Sequence, residues 1–397
     1  MIVITGSSGK TTLLHLFEAE LGSSAAYSHH ANSAFGIPFN ILGLERNTFS
    51  LYEWPLFAIH APFQAFRSIR PEKIYVAEAD AERPGEGKFS AKLLQPDVVV
   101  WLSLEEAHGI NYDRLVRDEN KKQDIRGAVR EAIAEEFGHF IENTKKFAVL
   151  NGDNRYIEKQ AKRGKAEISL VSPKDISSFS VERDGVRMIT TAGVVHLPHL
   201  VPADVGLSTL AVMHTLLHLR LPFDSTFKSL VLPPGRSSVL EGKRNTTIID
   251  SSYNATFDGM RAMLDLISKY PASGEKWLVL GDMIEQGKSE SSQHTDVSGL
   301  ILEVKPARVI LVGPRLKKHT YPILVKALGE KSVVSYLMPA DALQYLENEL
   351  RGGEVILFKG ARYLEGVVEK LLKNPEDASR LCRREAIFDR RRKQWGI

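Results

Sequence analysis

The chain has 397 residues, a formal net charge of +3 and a composition that is 43% hydrophobic and 25% charged. This length predicts two or three domains, and so small a charge does not indicate a nucleic-acid or membrane partner. The single cysteine, Cys382, excludes a disulfide framework and any cysteine-based zinc site. The sequence has no signal-like segment and no apolar run near the roughly 20 residues that span a bilayer, so we expect a cytoplasmic protein without membrane insertion.

The first twelve residues predict a phosphate-binding loop. Met1–Thr5 is an apolar run typical of a buried strand, and a helical pattern follows the loop. Glycines allow backbone amides to point at an anion, and the N-terminus of the helix adds partial positive charge. Lys10 is expected to reach the β- and γ-phosphates, and a hydroxyl of Thr11 or Thr12 to ligate Mg²⁺. The predicted nucleotide contacts are Gly6, Ser7, Ser8, Gly9, Lys10, Thr11 and Thr12.

This loop is shorter than the general P-loop, because Ile4 stands where that motif has its first glycine. The alternative interpretation is an ordinary strand-to-helix turn that contains Gly-Lys-Thr by chance. The position of the strand and the helix favours the phosphate-binding interpretation.

Further apolar runs alternate with helical patterns and predict a mostly parallel sheet. The predicted strands are Lys73–Glu78, Asp97–Leu102 and Phe147–Leu150, with mixed helix and loop over Leu51–Phe66 and a polar helix over about Asp118–Glu142. Ligands bind at the carboxyl ends of such strands, where Glu78, His108 and Asn151 lie. The adjacent His29 and His30 suggest a metal pair, but neighbouring side chains usually point apart, so we interpret them as loop residues near the substrate.

The second half of the chain changes pattern twice. Short alternating strands from Ala166 to about Pro198 predict a small β insertion, followed by a helix over Leu207–Leu219. Pro233–Arg236 reads as a hinge, which divides the chain into residues 1–234 and 235–397. Beyond the hinge we expect a second α/β domain, with Asp250, Asp282 and Lys359 at strand ends. Its predicted elements are the strands Thr246–Asp250, Trp277–Leu280, Val309–Val312 and Val355–Phe358 and the helix Asp258–Tyr270.

The last eighteen residues are rich in arginine and lysine. One short basic run without an aromatic stripe favours a solvated terminal helix over a nucleic-acid-binding or membrane-binding segment.

Five segments in series resemble the Mur ligase family. Thr5–Thr12 resembles the family's nucleotide loop, and the other four are similar to segments of the MurF-type branch, which adds a dipeptide to the cell-wall precursor. Those four are Glu78–Glu86, Asp250–Asp258, Leu280–Gly287 with His294 downstream, and Lys359–Arg362. Each is weak alone, but together they cover nearly the whole chain in order.

The resemblance implies an ATP-dependent carboxylate–amine ligase that acts through an acyl phosphate and uses ATP and Mg²⁺. It implies an α/β fold: a P-loop ATPase domain with a mostly parallel sheet and a small β insertion, and a C-terminal Rossmann-like domain. The partners it implies are a small-molecule or peptide carboxylate acceptor and an amino acid or dipeptide amine.

The resemblance also implies roles for single residues. Lys10, His108 and Arg236 are the expected catalytic residues, and Thr11, Glu78 and His108 the expected metal ligands. Asn151, Asp250, Tyr253 and Asn254 are expected to hold adenine and ribose. Asn32, Asp282, Lys359 and Arg362 are expected at the substrate, the last three facing the amine. The structural alternatives are a salt-bridge role for Glu78, a structural role for His108, a turn at Asp250 and a helix cap at Asp282.

Several features depart from the family pattern. The P-loop strand begins at residue 1, so we expect no N-terminal domain for the uridine-nucleotide sugar, and a partner protein could supply acceptor recognition. The family's carbamylated lysine has no clear counterpart; Glu135 or Glu136 could supply its charge. Val201–Asp204 and Thr256-Phe257 also differ from the corresponding family segments. The alternatives are therefore a folylpolyglutamate-type ligase and a nucleotide-binding, non-catalytic subunit of a larger ligase.

Overall fold

The computed structural model describes residues 1–29, 31–44, 52–66, 74–104, 111–112, 125–284 and 289–397. The chain forms two compact units. The first unit comprises Met1–Ser178, Ile189–Val194 and Asp204–Leu230. The second comprises Phe179–Met188, Val195–Ala203 and Val231–Ile397.

The first unit is built on a six-stranded sheet with the order β2-β3-β1-β4-β5-β6. Every neighbouring pair in it is parallel, which confirms the predicted parallel sheet. Its strands are β1 (Ile2–Thr5), β2 (Ala25–Tyr27), β3 (Ile74–Glu78), β4 (Val98–Trp101), β5 (Phe147–Asn151) and β6 (Glu167–Val171). The helices described for this unit are Lys10–Leu21, Gly36–Ile41, Glu53–Ala65, Glu86–Leu94, Ile125–Glu142, Arg155–Ala161 and Val205–His218.

Helices cover both faces of this sheet, which explains why its central strands are apolar throughout. Val3 and Trp101 pack with Phe137 and Ile133 of helix Ile125–Glu142 in one hydrophobic core. Successive side chains of a strand point to opposite faces, so the neighbouring residues of β1 are buried against the other helical layer. Because β1 lies between β3 and β4, the loop that follows it opens at the centre of the sheet.

In the main sheet of the first unit, two strand assignments differ from the prediction. β6 pairs in parallel with β5, so the segment from Glu167 belongs to the main sheet and not to the insertion. The insertion is the separate three-stranded sheet β7-β8-β9, formed by Ile176–Val181, Val186–Thr190 and Gly193–Leu197. β2 was not predicted, because three residues of the sequence Ala-Ala-Tyr carry little strand signal.

The second unit holds a six-stranded sheet with the order β10-β11-β15-β12-β13-β14, in which only the β10–β11 pair is antiparallel. Its strands are β10 (Ser238–Glu241), β11 (Thr247–Ser251), β12 (Lys276–Gly281), β13 (Arg308–Val312), β14 (Val333–Tyr336) and β15 (Val355–Lys359). The described helices are Phe257–Lys269, Glu290–Val304, Pro314–His319, Tyr321–Leu328, Pro339–Glu349, Leu364–Leu371 and Ala386–Gln394. The predicted second α/β domain is therefore confirmed.

The basic tail is not simply solvated. It forms the predicted helix, Ala386–Gln394, but Arg392 is buried and donates a hydrogen bond to the Arg383 carbonyl. Arg383 pairs with the fully buried Glu365 at 3.1 Å. The tail therefore packs as part of the second unit. Within the described ranges, no helix has both the length and the apolar character needed to cross a bilayer.

Candidate functional site

Backbone geometry makes glycine necessary in the loop after β1. Gly6 has φ 124°, and a Cβ there would lie 2.8 Å from the Ser103 carbonyl oxygen. Gly9 has φ 77° and occupies the N-cap position of helix Lys10–Leu21, where no side chain among the described residues caps the helix. The amides of the first helical turn therefore keep the geometry that suits an anion.

Ser103 fixes this loop from the end of the neighbouring strand β4. Its carbonyl accepts from the Ser7 amide at 3.2 Å, and its hydroxyl accepts from the Ser8 amide at 2.9 Å. The same hydroxyl donates to the Ser8 carbonyl at 2.7 Å. Three hydrogen bonds therefore connect Ser103 to the glycine loop. Sequence reasoning missed Ser103, although its position after a buried strand was a usable signal.

Lys10 folds back over the loop that precedes it. Its Nζ donates to the Gly6 carbonyl at 2.6 Å and lies 3.3 Å from Asp80 Oδ1. Both side chains of this ion pair are about nine-tenths buried, with exposed fractions of 10% and 11%. Asp80 thus holds a cation beside the glycine loop, a role that the sequence did not predict.

Thr11 and Glu78 meet where a cation would be expected. The Thr11 hydroxyl donates a hydrogen bond to Glu78 Oε2 at 3.3 Å. Ile4 of β1 pairs with Glu78 of β3, and this register places the Glu78 carboxylate beside the loop. Hydroxyl and carboxylate oxygens are ligands that Mg²⁺ prefers, so these donors fit the implied metal. The third predicted ligand, His108, lies outside the described residues.

Two predicted asparagines lie near this edge but use their groups within the protein. The backbone carbonyl of Asn32 accepts a hydrogen bond from the Asp80 amide at 3.0 Å. This contact places the loop after β2 next to the ion pair of Lys10. Asn151 donates from Nδ2 to the Leu102 carbonyl at 2.9 Å and accepts from the Asp153 amide at 2.9 Å. Asn151 therefore ties the ends of β4 and β5 together, and its predicted contact with adenine or ribose stays a prediction.

The two glutamates considered as a substitute for the missing lysine have different environments. Glu136 accepts from the Gly85 amide at 2.8 Å and from the Lys88 amide at 3.3 Å, so it caps helix Glu86–Leu94. Glu135 is exposed. The structure gives Glu136 a capping role, and the metal role of either residue stays a prediction.

In the second unit, Asp250 and Lys359 lie at the carboxyl ends of adjacent strands, because Ser251 of β11 pairs with Lys359 of β15. Lys359 donates to the Asn254 carbonyl at 2.6 Å and to the Ser251 hydroxyl at 3.4 Å. Asp250 is fully buried; its Oδ1 accepts from the Ser252 amide at 3.0 Å. Its Oδ2 has no hydrogen-bond partner among the described residues.

Burial shifts the pKa values of both groups. Desolvation, followed by the nearby charge of Arg236, lowers the pKa of Lys359 to about 8, while Asp250 partly opposes the shift. Desolvation raises the pKa of Asp250, and its hydrogen bonds with Ser252 and the charges of Lys359 and Arg383 oppose that shift. A lysine with a lowered pKa and a buried carboxylate, one of whose oxygens has no partner in the described part of the chain, make this cluster a candidate ligand site.

Tyr253 lies between two guanidinium groups. Arg236 Cζ is 5.3 Å and Arg383 Cζ is 5.6 Å from the centroid of its ring. Arg383 also donates to the Tyr253 carbonyl at 2.5 Å, and the Tyr253 amide donates to the Gly235 carbonyl at 3.2 Å. Arg236 Nε is buried without a hydrogen-bond partner among the described residues. Half of the Tyr253 side chain remains exposed.

Asp282, expected at the amine, is fully buried and has several partners. Its Oδ1 accepts from the Arg315 and Leu316 amides at 3.1 and 3.0 Å, which caps helix Pro314–His319. Its Oδ2 pairs with Arg362, at 2.8 Å from Nη2. Arg362 has φ 80°, an uncommon conformation for a side-chain-bearing residue, and its Cζ lies 5.3 Å from the Trp395 ring centroid. Asp282 therefore positions Arg362, and their predicted contact with the amine stays untested.

His294 lies inside helix Glu290–Val304 and is buried. Its Nε2 accepts from the Met283 amide at 3.1 Å, and its Nδ1 lies 2.7 Å from the Glu290 carbonyl. It fixes the chain just after Asp282.

The predicted residues thus form two sets. One surrounds the glycine loop of the first unit, where Thr11 contacts Glu78 and Lys10 contacts Asp80. The other surrounds the ends of β11 and β15 in the second unit, with Arg236, Tyr253 and Lys359. Arg383, from the C-terminal tail, also belongs to the second set. The sequence did not predict this role, because Arg383 lies in a run of basic residues.

The chain matches two family models. Residues 4–189 match the Mur ligase middle domain, and residues 235–362 match the Mur ligase glutamate ligase domain.

Relatives and solved structures agree with these matches. The UDP-N-acetylmuramoyl-tripeptide–D-alanyl-D-alanine ligase of Bacillus subtilis is 26% identical over 391 residues, which are 94% of this chain and 76% of the relative. The crystal structure of MurF ligase from Thermotoga maritima in complex with ADP superposes with a TM-score of 0.68 at 20% identity, covering 95% of this chain and 80% of that one. Folylpolyglutamate synthase from the same organism gives 0.54 at 17% identity, covering 93% and 88%.

Proposed function

This chain belongs to the Mur ligase family of ATP-dependent amide ligases, and from that premise we propose that it joins a carboxylate to an amine through an acyl phosphate, in the manner of the MurF branch. The observation that carries the proposal is the arrangement of Lys10, Thr11 and Glu78 around a glycine loop at the centre of a parallel sheet.

We assign residues 1–234 to ATP binding and residues 235–397 to a C-terminal ligase domain. The extents of the two family matches support this division. In the first domain, phosphates would replace the Gly6 carbonyl and Asp80 as partners of Lys10. In the second, Asp250, Tyr253 and Asn254 would contact adenine and ribose.

The reaction balances in two steps. A carboxylate oxygen of the acceptor attacks the γ-phosphorus of ATP, the bond from phosphorus to the β–γ bridging oxygen breaks, and ADP leaves. The amine nitrogen then attacks the acyl carbon, phosphate departs from the tetrahedral intermediate with the electrons of the carbon–oxygen bond, and the nitrogen loses a proton. The first step brings two anions together, so it requires cations and orientation more than it requires a strong base.

Each cationic side chain of the candidate site would have a different role in the reaction. Lys10 would neutralise charge on the β- and γ-phosphates, and Arg236 would reach the transferring phosphoryl group. Lys359 and Arg362 would orient the amine component through its carboxylate, with Asp282 holding Arg362 in place. Thr11 would hold one Mg²⁺, and Glu78 and His108 would hold a second metal; these ions would supply charge that neutralises the phosphates.

The names of the relatives suggest the substrate class. A muramoyl peptide ending in a free carboxylate would be the acceptor, and a dipeptide of the D-alanyl-D-alanine kind the amine. Glutamyl substrates are the alternative from the folylpolyglutamate-type ligases, and recognition of the acceptor by a partner protein would be tested with the same assay.

Hydroxylamine trapping tests the proposal. The protein is incubated with Mg-ATP, hydroxylamine and either the UDP-muramoyl tripeptide, a folate or a γ-glutamyl peptide, and the products are separated by mass spectrometry. A hydroxamate formed with stoichiometric ADP from the muramoyl peptide supports the proposal; one formed only from folate or γ-glutamyl substrates would replace it with the alternative. Tight ATP binding without hydroxamate from any acceptor would indicate a non-catalytic nucleotide-binding subunit.

A further inference from the structure

Three polar side chains of the first unit converge outside the nucleotide loop. His15 and Glu18 lie three residues apart on helix Lys10–Leu21, and His29 follows β2. His15 Nδ1 is 3.1 Å from Glu18 Oε2, and His29 Nε2 is 3.1 Å from Glu18 Oε1. The three donor atoms all lie within 4.8 Å of one another, and the imidazole centroids are 5.2 Å apart.

The backbone fixes the relative positions of these residues. Spacing of three places His15 and Glu18 on the same helical face. His29 follows Ser28, whose amide donates to the Val76 carbonyl at 3.0 Å and whose hydroxyl accepts from the Glu78 amide at 2.8 Å. The Tyr27 ring lies 5.8 Å from the His29 ring. His29 is thus presented by the edge of the sheet and not by a free loop.

We propose that His15, Glu18 and His29 bind a transition-metal dication of the Zn²⁺ type. Two imidazoles and one carboxylate are a donor set suited to Zn²⁺ and poorly suited to Mg²⁺, which prefers oxygen. One ligand atom from each residue lies within 4.8 Å of the other two, and the edge of a tetrahedron with bonds of about 2.0 Å is roughly 3.3 Å, so a small closing movement would bring the three onto one ion. This pair of histidines comes from helix Lys10–Leu21 and from the turn after β2, whereas the sequence led us to interpret His29 only as a loop residue near the substrate.

The site is half-open, since the exposed fractions are 16% for His15, 39% for Glu18 and 35% for His29. Three protein ligands leave a coordination position for water or for a group of a bound molecule. The ion would lie about 6 Å along the helix from Thr11, because His15 follows it by four residues. It would join the nucleotide-loop helix to the segment that carries Asn32.

Metal titration of the full-length protein tests this inference independently of ligase activity. After removal of metals by chelation, Zn²⁺ is titrated in competition with a chromophoric chelator, without nucleotide, and Co²⁺ binding is followed by its visible absorption. We expect one ion per chain and a rise in Tm with Zn²⁺. His15→Gln and His29→Gln should each weaken binding by about 100-fold or more.

Controls separate this site from others. His196→Gln removes an exposed histidine of β9, and Glu78→Gln changes the predicted Mg²⁺ site; both should keep the zinc affinity. Thermal unfolding without metal should be the same for His15→Gln, His29→Gln and the parent, which shows that the variants fold. The absence of a one-to-one site, or equal zinc affinity in the His15→Gln/His29→Gln double variant, would overturn the proposal and leave a hydrogen-bonded His–Glu–His chain.

Discussion

We predict that phosphate binding depends most directly on Lys10. Its charge is held by Asp80 and by the Gly6 carbonyl, so it lies beside the loop before the nucleotide arrives. Lys10→Ala removes that charge and is predicted to lower kcat by about 100-fold or more. Steady-state ADP release with saturating acceptor measures the effect.

Lys159→Ala is the matched control, because that lysine pairs with Glu131 on the surface of the same unit. It should leave both kcat and the Tm unchanged. Near-normal turnover by Lys10→Ala would show that the glycine loop does not hold the transferring phosphates.

The lowered pKa of Lys359 leads us to predict that activity falls at alkaline pH. Since burial lowers its pKa to about 8, the ammonium is present below that pH and lost as the pH rises through it. If the charge orients a substrate carboxylate, kcat/KM should fall about tenfold per pH unit above the pKa. Lys359→Arg, which stays charged, should move this limb to higher pH.

The free energy of unfolding should respond to pH in the opposite direction to activity. The folded-state pKa of Lys359 is below the unfolded value of 10.5, so between about 8 and 10.5 the unfolded chain binds more protons. The Lys359 contribution therefore makes the native state more stable as the pH rises across this window. A fall in Tm that parallels the fall in activity would contradict the assignment of the alkaline limb to lost substrate contact.

At the scale of elements, Ser103 links the end of β4 to the glycine loop. Ser103→Ala deletes the two hydrogen bonds that its hydroxyl makes with Ser8, each with a net contribution of about 1 kcal/mol. The loop should then be less ordered, and the KM for ATP should rise about tenfold. Ser177→Ala, which also removes a hydroxyl-to-backbone hydrogen bond, should leave the KM for ATP unchanged.

The ends of β12 and β15 approach so closely that only glycine fits. A Cβ at Gly360 would lie 2.4 Å from the Gly281 carbonyl oxygen, and φ there is 132°. Gly360→Ala should therefore destabilise the second unit by about 3 kcal/mol or more, measured by denaturant unfolding. Gly353→Ala is a matched control with φ 84° and open space among the described residues, and should cost only about 1 kcal/mol. Equal losses in both variants would contradict the close-packing argument.

The strands that sequence reasoning predicted are those with continuous apolar runs, such as β1 and β4, because full burial leaves that composition. β6 was assigned to the wrong sheet because its half-exposed pattern resembles the strands that follow it. The glycine loop was recognisable since its parts are contiguous. The partnerships of Ser103 with Ser8 and of Arg362 with Asp282 were not, because they join residues 95 and 80 positions apart.

At the scale of the whole molecule, the two sets of residues divide the chemistry. The glycine loop and its cations suit phosphoryl transfer, whereas the buried Asp250 and Lys359 and the tail-supported Tyr253 suit recognition of nucleoside and amine. The tail is therefore predicted to contribute to ATP binding. Arg383→Ala removes the guanidinium from Glu365 and Tyr253, and it should raise the KM for ATP about tenfold by disturbing the Tyr253 loop.

Arg390→Ala, in the same basic tail, is the control and should leave the KM for ATP at the parent value. An Arg383→Ala variant with the same KM and the same Tm as Arg390→Ala would exclude the positioning role of Arg383.

The most direct test of the central claim is isotope transfer during turnover. The acceptor carboxylate is labelled with ¹⁸O, the protein is supplied with Mg-ATP and the amine, and the inorganic phosphate is analysed by mass spectrometry. Ligation through an acyl phosphate predicts one ¹⁸O atom in each phosphate released, in step with the amide formed. Amide formation with unlabelled phosphate, or with release of pyrophosphate, would contradict the account.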